Sequence, residues 1–191
     1  MSKRISFLLS TLIILFIIPC IAFSATIQLP QTGQTKCYNK SGTEIPCTGT
    51  GQDGEIQAGI GWPNPRFLDN GDGTITDNLT GLMWVKSPDS TTRTWTNAIT
   101  YCESLTFVGY NDWRLPNVNE LESLVNADAP DTAAWLNTQG FSNVQSGDYW
   151  SSSTNAYSTR SAWYVRMWKG FVSSFGKGYN DSYVWPVRAG Q

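Results

Sequence analysis

The stretch "GYNDWRLPNVNELESL", residues 109–124, decides the fold of this chain. Pro116 ends an extended segment, and Asn117 is a residue type that caps helix N-termini. Glu120 follows three residues later, where its carboxylate can accept a hydrogen bond from the backbone N–H of the cap. The apolar side chains that follow share one helical face: Leu121, Leu124 and Val125. The stretch therefore predicts an extended segment that leads into a capped helix.

A second helix is predicted upstream, and strands are predicted on both sides of the helical pair. "TWTNAITYCESL", residues 94–105, has apolar side chains at helical spacing, with Thr94 as its cap. Residues 67–86 have the composition of short strands joined by glycine-containing turns. Residues 128–148 form a looser stretch, followed by the β-prone runs "YWSSST", "AWYVRMW", "FVSSF" and "YVWPVR". This order predicts an α+β fold with two helices and short, mostly antiparallel strands.

Four residues around the helices are assigned to the core. Trp113, Leu115 and Leu121 are predicted to form the buried scaffold. Cys102 lies beside apolar residues in the first helix, which favours a small buried hydrophobe. A catalytic thiol would need a basic partner, and the chain contains no histidine.

The first residues predict export. A short basic start precedes an almost uninterrupted apolar run at residues 5–18, and small residues follow at 22–24. This pattern is typical of a signal peptide, residues 1–24, cleaved before Ala25. The predicted localisation is the periplasm, the cell surface or the medium, with no membrane span after cleavage. The alternative is a retained anchor, since the apolar run reaches roughly the lower length limit for a bilayer span.

Residues 25–66 are predicted to be a Gly-, Pro- and Thr-rich extension that precedes a domain at residues 67–191. Cys37 and Cys47 bracket a short polar loop, and an exported chain can keep them as a disulfide. Two zinc thiolates are the alternative, but the sequence offers no histidine and no second cysteine pair as further ligands.

The composition argues against nucleic-acid binding, metal binding and most kinds of catalysis. A net charge of −2 disfavours nucleic acid as a partner. The absence of histidine excludes Ser-His-Asp and Cys-His catalysis and the usual metal sites, so no enzyme activity and no cofactor are predicted. One acid–base alternative is a carboxylate pair of Glu120 with Glu122 or with Asp112. Simpler roles are favoured, because Glu120 closes the helix cap and Asp112 can pair with Arg114.

Three aspartates near the start of the domain raise the question of calcium. Asp69, Asp72 and Asp77 carry hard oxygen ligands, but their spacing lacks the regular acidic pattern and the terminal glutamate of an EF-hand loop. Aspartates beside glycines also stabilise turns. The prediction is turn chemistry without a metal site.

Taken together, these motifs resemble a known family. "DNGDGTITDNLTGLMW", "GYNDWRLPNVNELESL", "YWSSS" and the closing "YVWPVR" are similar, in order, to the Lcl C-terminal domain family, named after a bacterial collagen-like adhesin. The resemblance covers roughly residues 28–188. It also extends to variable proteins of diversity-generating retroelements, some of which diversify residues near the C-terminus of such a domain.

The resemblance implies a C-type-lectin-like fold and a role in binding or adhesion, with glycosaminoglycan-like polysaccharides as one ligand class. Some family features are missing. The chain has no collagen repeats, so a trimer is not implied. The Asn-Asp pair of calcium-dependent lectins falls late in the domain, whereas Asn111-Asp112 precedes the second helix. The calcium site is therefore not carried over.

The last third of the chain is rich in aromatic residues with two predicted orientations. In "AWYVRMWKG", residues 162–170, strand alternation sends Trp163, Val165 and Met167 to the core. Tyr164, Arg166 and Trp168 then share the opposite face. A turn at Lys169-Gly170 brings Phe171 and Ser173 onto that face and Val172 onto the core face. Large rings mixed with short polar groups are typical of binding surfaces.

The sequence thus predicts a ligand-binding surface near the C-terminus, comprising Tyr157, Arg160, Tyr164, Arg166, Trp168, Phe171, Ser173, Phe175, Tyr179 and Asn180. One hypothesis is a non-catalytic module that binds an extracellular glycan or protein. The other is a structural or assembly role in the cell envelope, with the same surface used to form a homo-oligomer. A second layer of core is the structural alternative for these rings.

Overall fold

The computed structural model describes residues 29–178 and 181–190, so the predicted signal peptide lies outside the described residues. The elements in these ranges are β1 Cys37–Tyr38, β2 Glu44–Ile45, α1 Asp53–Ile56, β3 Phe67–Asp69, β4 Thr74–Asp77, β5 Leu82–Val85, α2 Trp95–Glu103, α3 Val118–Glu122, α4 Thr132–Thr138, β6 Asp148–Thr154, β7 Ser161–Arg166, β8 Phe171–Gly176 and β9 Val187–Ala189. None of these helices is long and apolar enough to cross a bilayer.

The capped helix predicted from the opening stretch is α3. The Asn117 side chain accepts from the Glu120 backbone N–H at 2.9 Å, and the Glu120 carboxylate accepts from the Asn117 N–H at 2.8 Å. Arg114 donates to the same carboxylate at 2.6 and 2.7 Å. The expected pair of Arg114 with Asp112 is therefore wrong, because the cap brings Glu120 within reach of Arg114. Asp112 pairs instead with Arg188 of β9, at 2.7 Å.

The first predicted helix is also confirmed, and two others, α1 in the extension and α4, were missed. Thr94 occupies the N-cap of α2, but its side chain makes no capping hydrogen bond. Helix α4 lies inside the stretch that was predicted to be loose. The Asp131 side chain caps it by accepting from the Ala134 N–H at 3.1 Å. Its two turns are too short to give a clear apolar period in the sequence.

Two antiparallel sheets form the body of the domain. The first has the strand order β3-β4-β5-β9, in which Trp84 of β5 pairs with Val187 from the end of the chain. The second has the order β6-β7-β8. Both match the predicted short antiparallel strands, and the closing run "YVWPVR" supplies β9 at its end.

Side chains pack on both faces of the β6-β7-β8 sheet. On one face α3 and α4 close a core that also includes Trp84 of the other sheet and Trp185, which precedes β9. On the opposite face α2 closes a second core around Trp150. The predicted scaffold residues are buried as expected: Trp113, Leu115 and Leu121. Cys102 is buried in the second core, and burial raises the pKa of its thiol to about 12.

The three aspartates are occupied by turn contacts and cations. Asp69 accepts from the Gly71 N–H at 3.0 Å and from Lys86, and Asp72 accepts from the Thr74 N–H at 2.9 Å. Asp77 is fully buried and accepts two hydrogen bonds from Arg66, both at 3.1 Å. Turn chemistry and ion pairing therefore account for all three side chains.

The extension packs against the domain. Its hairpin β1-β2 carries the predicted Cys37–Cys47 disulfide, which is confirmed. The Trp62 ring lies 5.5 Å from that of Trp135 in α4, centroid to centroid. Thr35 donates to Asp128 at 2.8 Å, and within the extension Arg66 stacks over the Trp62 ring at 4.4 Å. Polar and aromatic contacts thus join the two parts of the chain.

Candidate ligand-binding surface

The predicted C-terminal hairpin is formed by β7 and β8. Val165 pairs with Val172 and Arg166 with Phe171, so the predicted turn at Lys169-Gly170 is confirmed, as is the prediction that Phe171 shares a face with Arg166 and Val172 with Val165. Gly170 has φ of 69°, and a Cβ at this position would lie 2.5 Å from the Val125 side chain. The turn therefore requires glycine, and it rests directly on the segment that follows α3.

The inward face of the hairpin agrees with the prediction in part. Val165 and Met167 are fully buried against α3 and α4, and Val172 packs at the margin of the same core. Trp163 was expected to join them but is only half-buried. It pairs with Ser174 of the edge strand β8 and is not part of the core beneath α3 and α4.

The prediction that Tyr164 belongs to an exposed face of the hairpin is wrong. Its side chain is only 3% exposed, so it is not a surface ring. Strand alternation places Tyr164 and Val165 on different faces of the sheet, as expected, but α2 covers the face that carries Tyr164. Its ring stacks on Phe175 at 3.8 Å between centroids, with 16° between planes. Phe175, also predicted to bind ligand, is half-buried at the margin of the second core.

Arg166 is part-exposed and has its own anionic partner. Asp148 of β6 lies beside it in the ladder and accepts from its guanidinium Nη2 at 2.8 Å. This hydrogen bond raises the pKa of Arg166 above its ordinary value. The same guanidinium stacks over the Phe171 ring at 4.9 Å. The pair fixes a planar cation beside an exposed ring, which is a common arrangement at binding sites.

The most exposed rings lie at the turn and in the preceding loop. Trp168 is 38% exposed, Phe171 is 41% exposed, and Tyr157 is fully exposed. Lys169 places its ammonium 4.3 Å from the Trp168 ring centroid. We call the set Arg166, Trp168, Lys169, Phe171 and Ser173 the hairpin surface.

The other predicted residues lie further along the hairpin. Arg160 is exposed and Ser173 is part-exposed. Tyr157 precedes Arg160 in the β6–β7 connection, so both lie toward the end of the hairpin away from the turn. Tyr179 and Asn180 fall outside the described residues. The structure therefore brings Arg166, Phe171 and Ser173 together on one face, with Trp168 at the turn.

Two lysines that the prediction omitted belong to this region. Lys169 and Lys177 flank β8, and the Lys177 ammonium lies 4.0 Å from the Trp95 ring centroid. Within residues 29–178 and 181–190, neither lysine has a carboxylate within salt-bridge distance, and the same is true of Arg160. The signal in the sequence is the basic residue at each end of "FVSSFG". The hairpin thus carries positive charge on a chain that is negative overall.

A groove of about 600 Å³ adjoins the turn. It is lined by Leu29 and Pro30 of the extension, by Glu122 and Val125, and by Gly170 of the turn. The extension therefore contributes to the molecular surface beside the exposed rings.

The carboxylates suggested for acid–base chemistry have other partners. Asp112 is held by Arg188, and this hydrogen bond lowers the pKa of the carboxyl group. Burial acts to raise the pKa of Glu120, but the hydrogen bond from Arg114 and that from the Asn117 N–H outweigh it and lower the value. A general acid at neutral pH needs the opposite shift. The arrangement favours recognition by rings and cations.

Two antiparallel sheets and two main helices that support an aromatic hairpin define a lectin-like binding domain. The chain belongs to the Lcl C-terminal domain family, whose sequence profile matches residues 73–188. This family comprises non-catalytic, lectin-like domains of bacterial collagen-like proteins. A comparison with curated proteins finds no match. The resemblance found in the sequence is therefore confirmed at the level of the family.

Proposed function

We propose that this chain is an exported bacterial module that binds an extracellular glycan or protein through the hairpin surface, without catalysis. The observation that carries the proposal is the exposure of Trp168 and Phe171 on a hairpin whose opposite face is core. Exposed rings beside a fixed guanidinium supply contact area at low entropic cost. The disulfide supports export, because oxidising compartments preserve such bonds.

Two ligand classes fit this chemistry. A sugar ring can stack on Trp168, while an acidic polysaccharide would also be attracted by Arg160, Lys169 and Lys177. A protein ligand can use the same rings as anchors. The family is lectin-like, which supports a glycan as one of the two classes. Because the hairpin carries an excess of positive charge, an anionic ligand of either class should bind more weakly as the salt concentration rises.

The test is the double variant Trp168→Ala with Phe171→Ala. We expect it to keep the fold but lose capture of polysaccharides and proteins from panels that include sulfated and neutral glycans. The physical reason is the loss of both exposed rings, since hot-spot rings typically contribute about 2 kcal/mol or more each. The measurement is binding to the panels by biolayer interferometry.

A matched control removes exposed apolar side chains elsewhere. Ile56→Ala with Leu68→Ala changes two exposed residues outside the hairpin and should leave capture unchanged. A large loss of thermal stability in the Trp168/Phe171 variant would contradict the proposal, because the rings would then be core. Loss of an oligomer in that variant, seen by analytical ultracentrifugation without any loss of ligand capture, would instead support the assembly role.

A further inference from the structure

The β6-β7-β8 sheet is closed on one edge and open on the other. The outer edge of β6 is occupied, because Trp150 N–H donates to the Tyr183 carbonyl at 3.1 Å and Ser152 N–H donates to the Pro116 carbonyl at 2.7 Å. Strand β8 is the opposite edge. Among residues 29–178 and 181–190, nothing hydrogen-bonds to the main chain of β8 apart from its partner β7.

The hydrogen-bond register identifies which main-chain groups face outward. Lys177 N–H donates to the Arg160 carbonyl at 2.8 Å, next to the last paired residues of the ladder. In an antiparallel pair the residues alternate between bonding to the partner strand and facing away from it. Lys177 faces β7, and so do the odd-numbered residues of β8. The groups that point to the open edge therefore belong to Val172, Ser174 and Gly176, all of them part-exposed.

The charged side chains of the segment that contains this edge have one sign. Residues 169–178 contain two lysines and no acidic residue. Lys169 lies before β8 and Lys177 after it, and Arg160 joins Lys177 through the main chain. Arg166 is neutralised by Asp148, so in the part of the chain that the structure describes, the cations without a carboxylate partner lie at the two ends of the strand. A complementary ligand would be extended and would carry acidic groups.

We propose that β8 accepts an extended acidic segment of a partner protein as a fourth strand of the β6-β7-β8 sheet. The added strand forms main-chain hydrogen bonds to Val172, Ser174 and Gly176, and its acidic side chains lie near Lys169 and Lys177. This mode of recognition combines main-chain affinity with side-chain specificity. The inference rests on the proposed function, since it names the partner class and the contact by which the hairpin binds it.

A second copy of this chain fits the edge poorly. In an antiparallel pair of β8 strands, Lys169 of each copy would lie beside Lys177 of the other. A parallel pair would place each lysine beside its own equivalent. Like charges opposite each other destabilise strand pairs, and edge lysines are a common device against self-pairing. The cations therefore select against another copy and in favour of an acidic strand.

The test begins with peptides selected for binding from a random displayed library. Ser174→Pro removes one outward N–H without taking a bond from the β7 ladder, because proline lacks that donor. We expect the selected peptides to be acidic and to bind this variant about tenfold more weakly than wild type. Ser174→Ala is the matched control, since it also loses the hydroxyl that accepts from Asn155 but keeps the N–H. Its affinity should be unchanged.

The peptides provide a second test that does not depend on the folding of a variant. N-methylation of alternate peptide residues on the edge that faces β8 should abolish binding, whereas methylation on the other edge should not. Equal effects of the two patterns, unchanged binding to Ser174→Pro, or a selection that yields no peptide would overturn the proposal. A dimer that Ser174→Pro disrupts would also overturn it, because the occupant would then be a second copy.

The two proposals fail in different ways. If Trp168→Ala with Phe171→Ala loses ligand capture while Ser174→Pro retains it, the hairpin surface binds its ligand through side chains and the strand proposal is wrong. If neither variant loses capture, the hairpin is not the binding site and both proposals are wrong.

Discussion

Tyr164 and Trp168 lie four residues apart on one hairpin, yet one ring is core and the other is surface. Alternation alone gave them the same orientation. The difference arises because β7 ends at Arg166 and Met167 turns inward, so Trp168 belongs to the turn rather than to the strand. Helix α2 then covers the strand face that carries Tyr164.

This division predicts opposite responses to truncation. Tyr164→Ala should lower the free energy of unfolding by about 3–5 kcal/mol, because it removes a buried ring stacked on Phe175. Trp168→Ala should change it by less than about 1 kcal/mol, since the ring is part-exposed at a turn. Urea unfolding monitored by far-UV circular dichroism measures both values. An equal decrease in the free energy of unfolding in the two variants would show that Trp168 is part of the core, as Tyr164 is.

At the scale of elements, patterns that depend on neighbouring residues were predictable. The box of Asn117 with Glu120, the glycine turn before β8 and the cysteine pair are each specified within about ten residues. Contacts between distant segments were not: α2 over Tyr164, Asp112 with Arg188, and the open edge of β8. The sequence of a strand does not show which distant segment packs on each of its faces. The accessibility of the predicted site residues depends on that packing.

The cap of α3 gives a quantitative prediction at this scale. Asn117→Ala should destabilise the protein by about 1 kcal/mol, because it leaves the Glu120 N–H without its side-chain acceptor. Asn119→Ala is the control: this side chain is exposed, and alanine favours a helix. Thermal unfolding should show a lower Tm for the first variant and an equal or higher Tm for the second. The reverse order would contradict the capping role.

For the whole molecule, the extension behaves as part of the domain. The family profile begins at residue 73, but strand β3 precedes it and pairs with β4 as part of the first sheet. Arg66 is buried and bonds to Asp77 and to the Ser123 carbonyl beyond α3, at 2.6 Å for the latter. One side chain therefore joins the end of the extension, the first sheet and the helical segment.

Removal of this cation should affect the entire fold. Arg66→Ala is expected to cost about 3–5 kcal/mol, since it leaves the Asp77 carboxylate buried without its ion pair. Lys40→Ala, a change at an exposed lysine of the extension, should lie within about 0.5 kcal/mol of wild type. Guanidinium unfolding followed by tryptophan fluorescence tests both. Two separate transitions in wild type would show that the extension unfolds independently.

The pairing of β5 with β9 also determines when the first sheet can be completed during synthesis of the chain. Trp84 pairs with Val187, about a hundred residues later in the chain, so the first sheet lacks its fourth strand until residues 187–189 have been synthesised. Contacts of such long sequence separation are slow to form, because the intervening chain must first be ordered. The first sheet of a growing chain therefore remains incomplete until β9 has been synthesised.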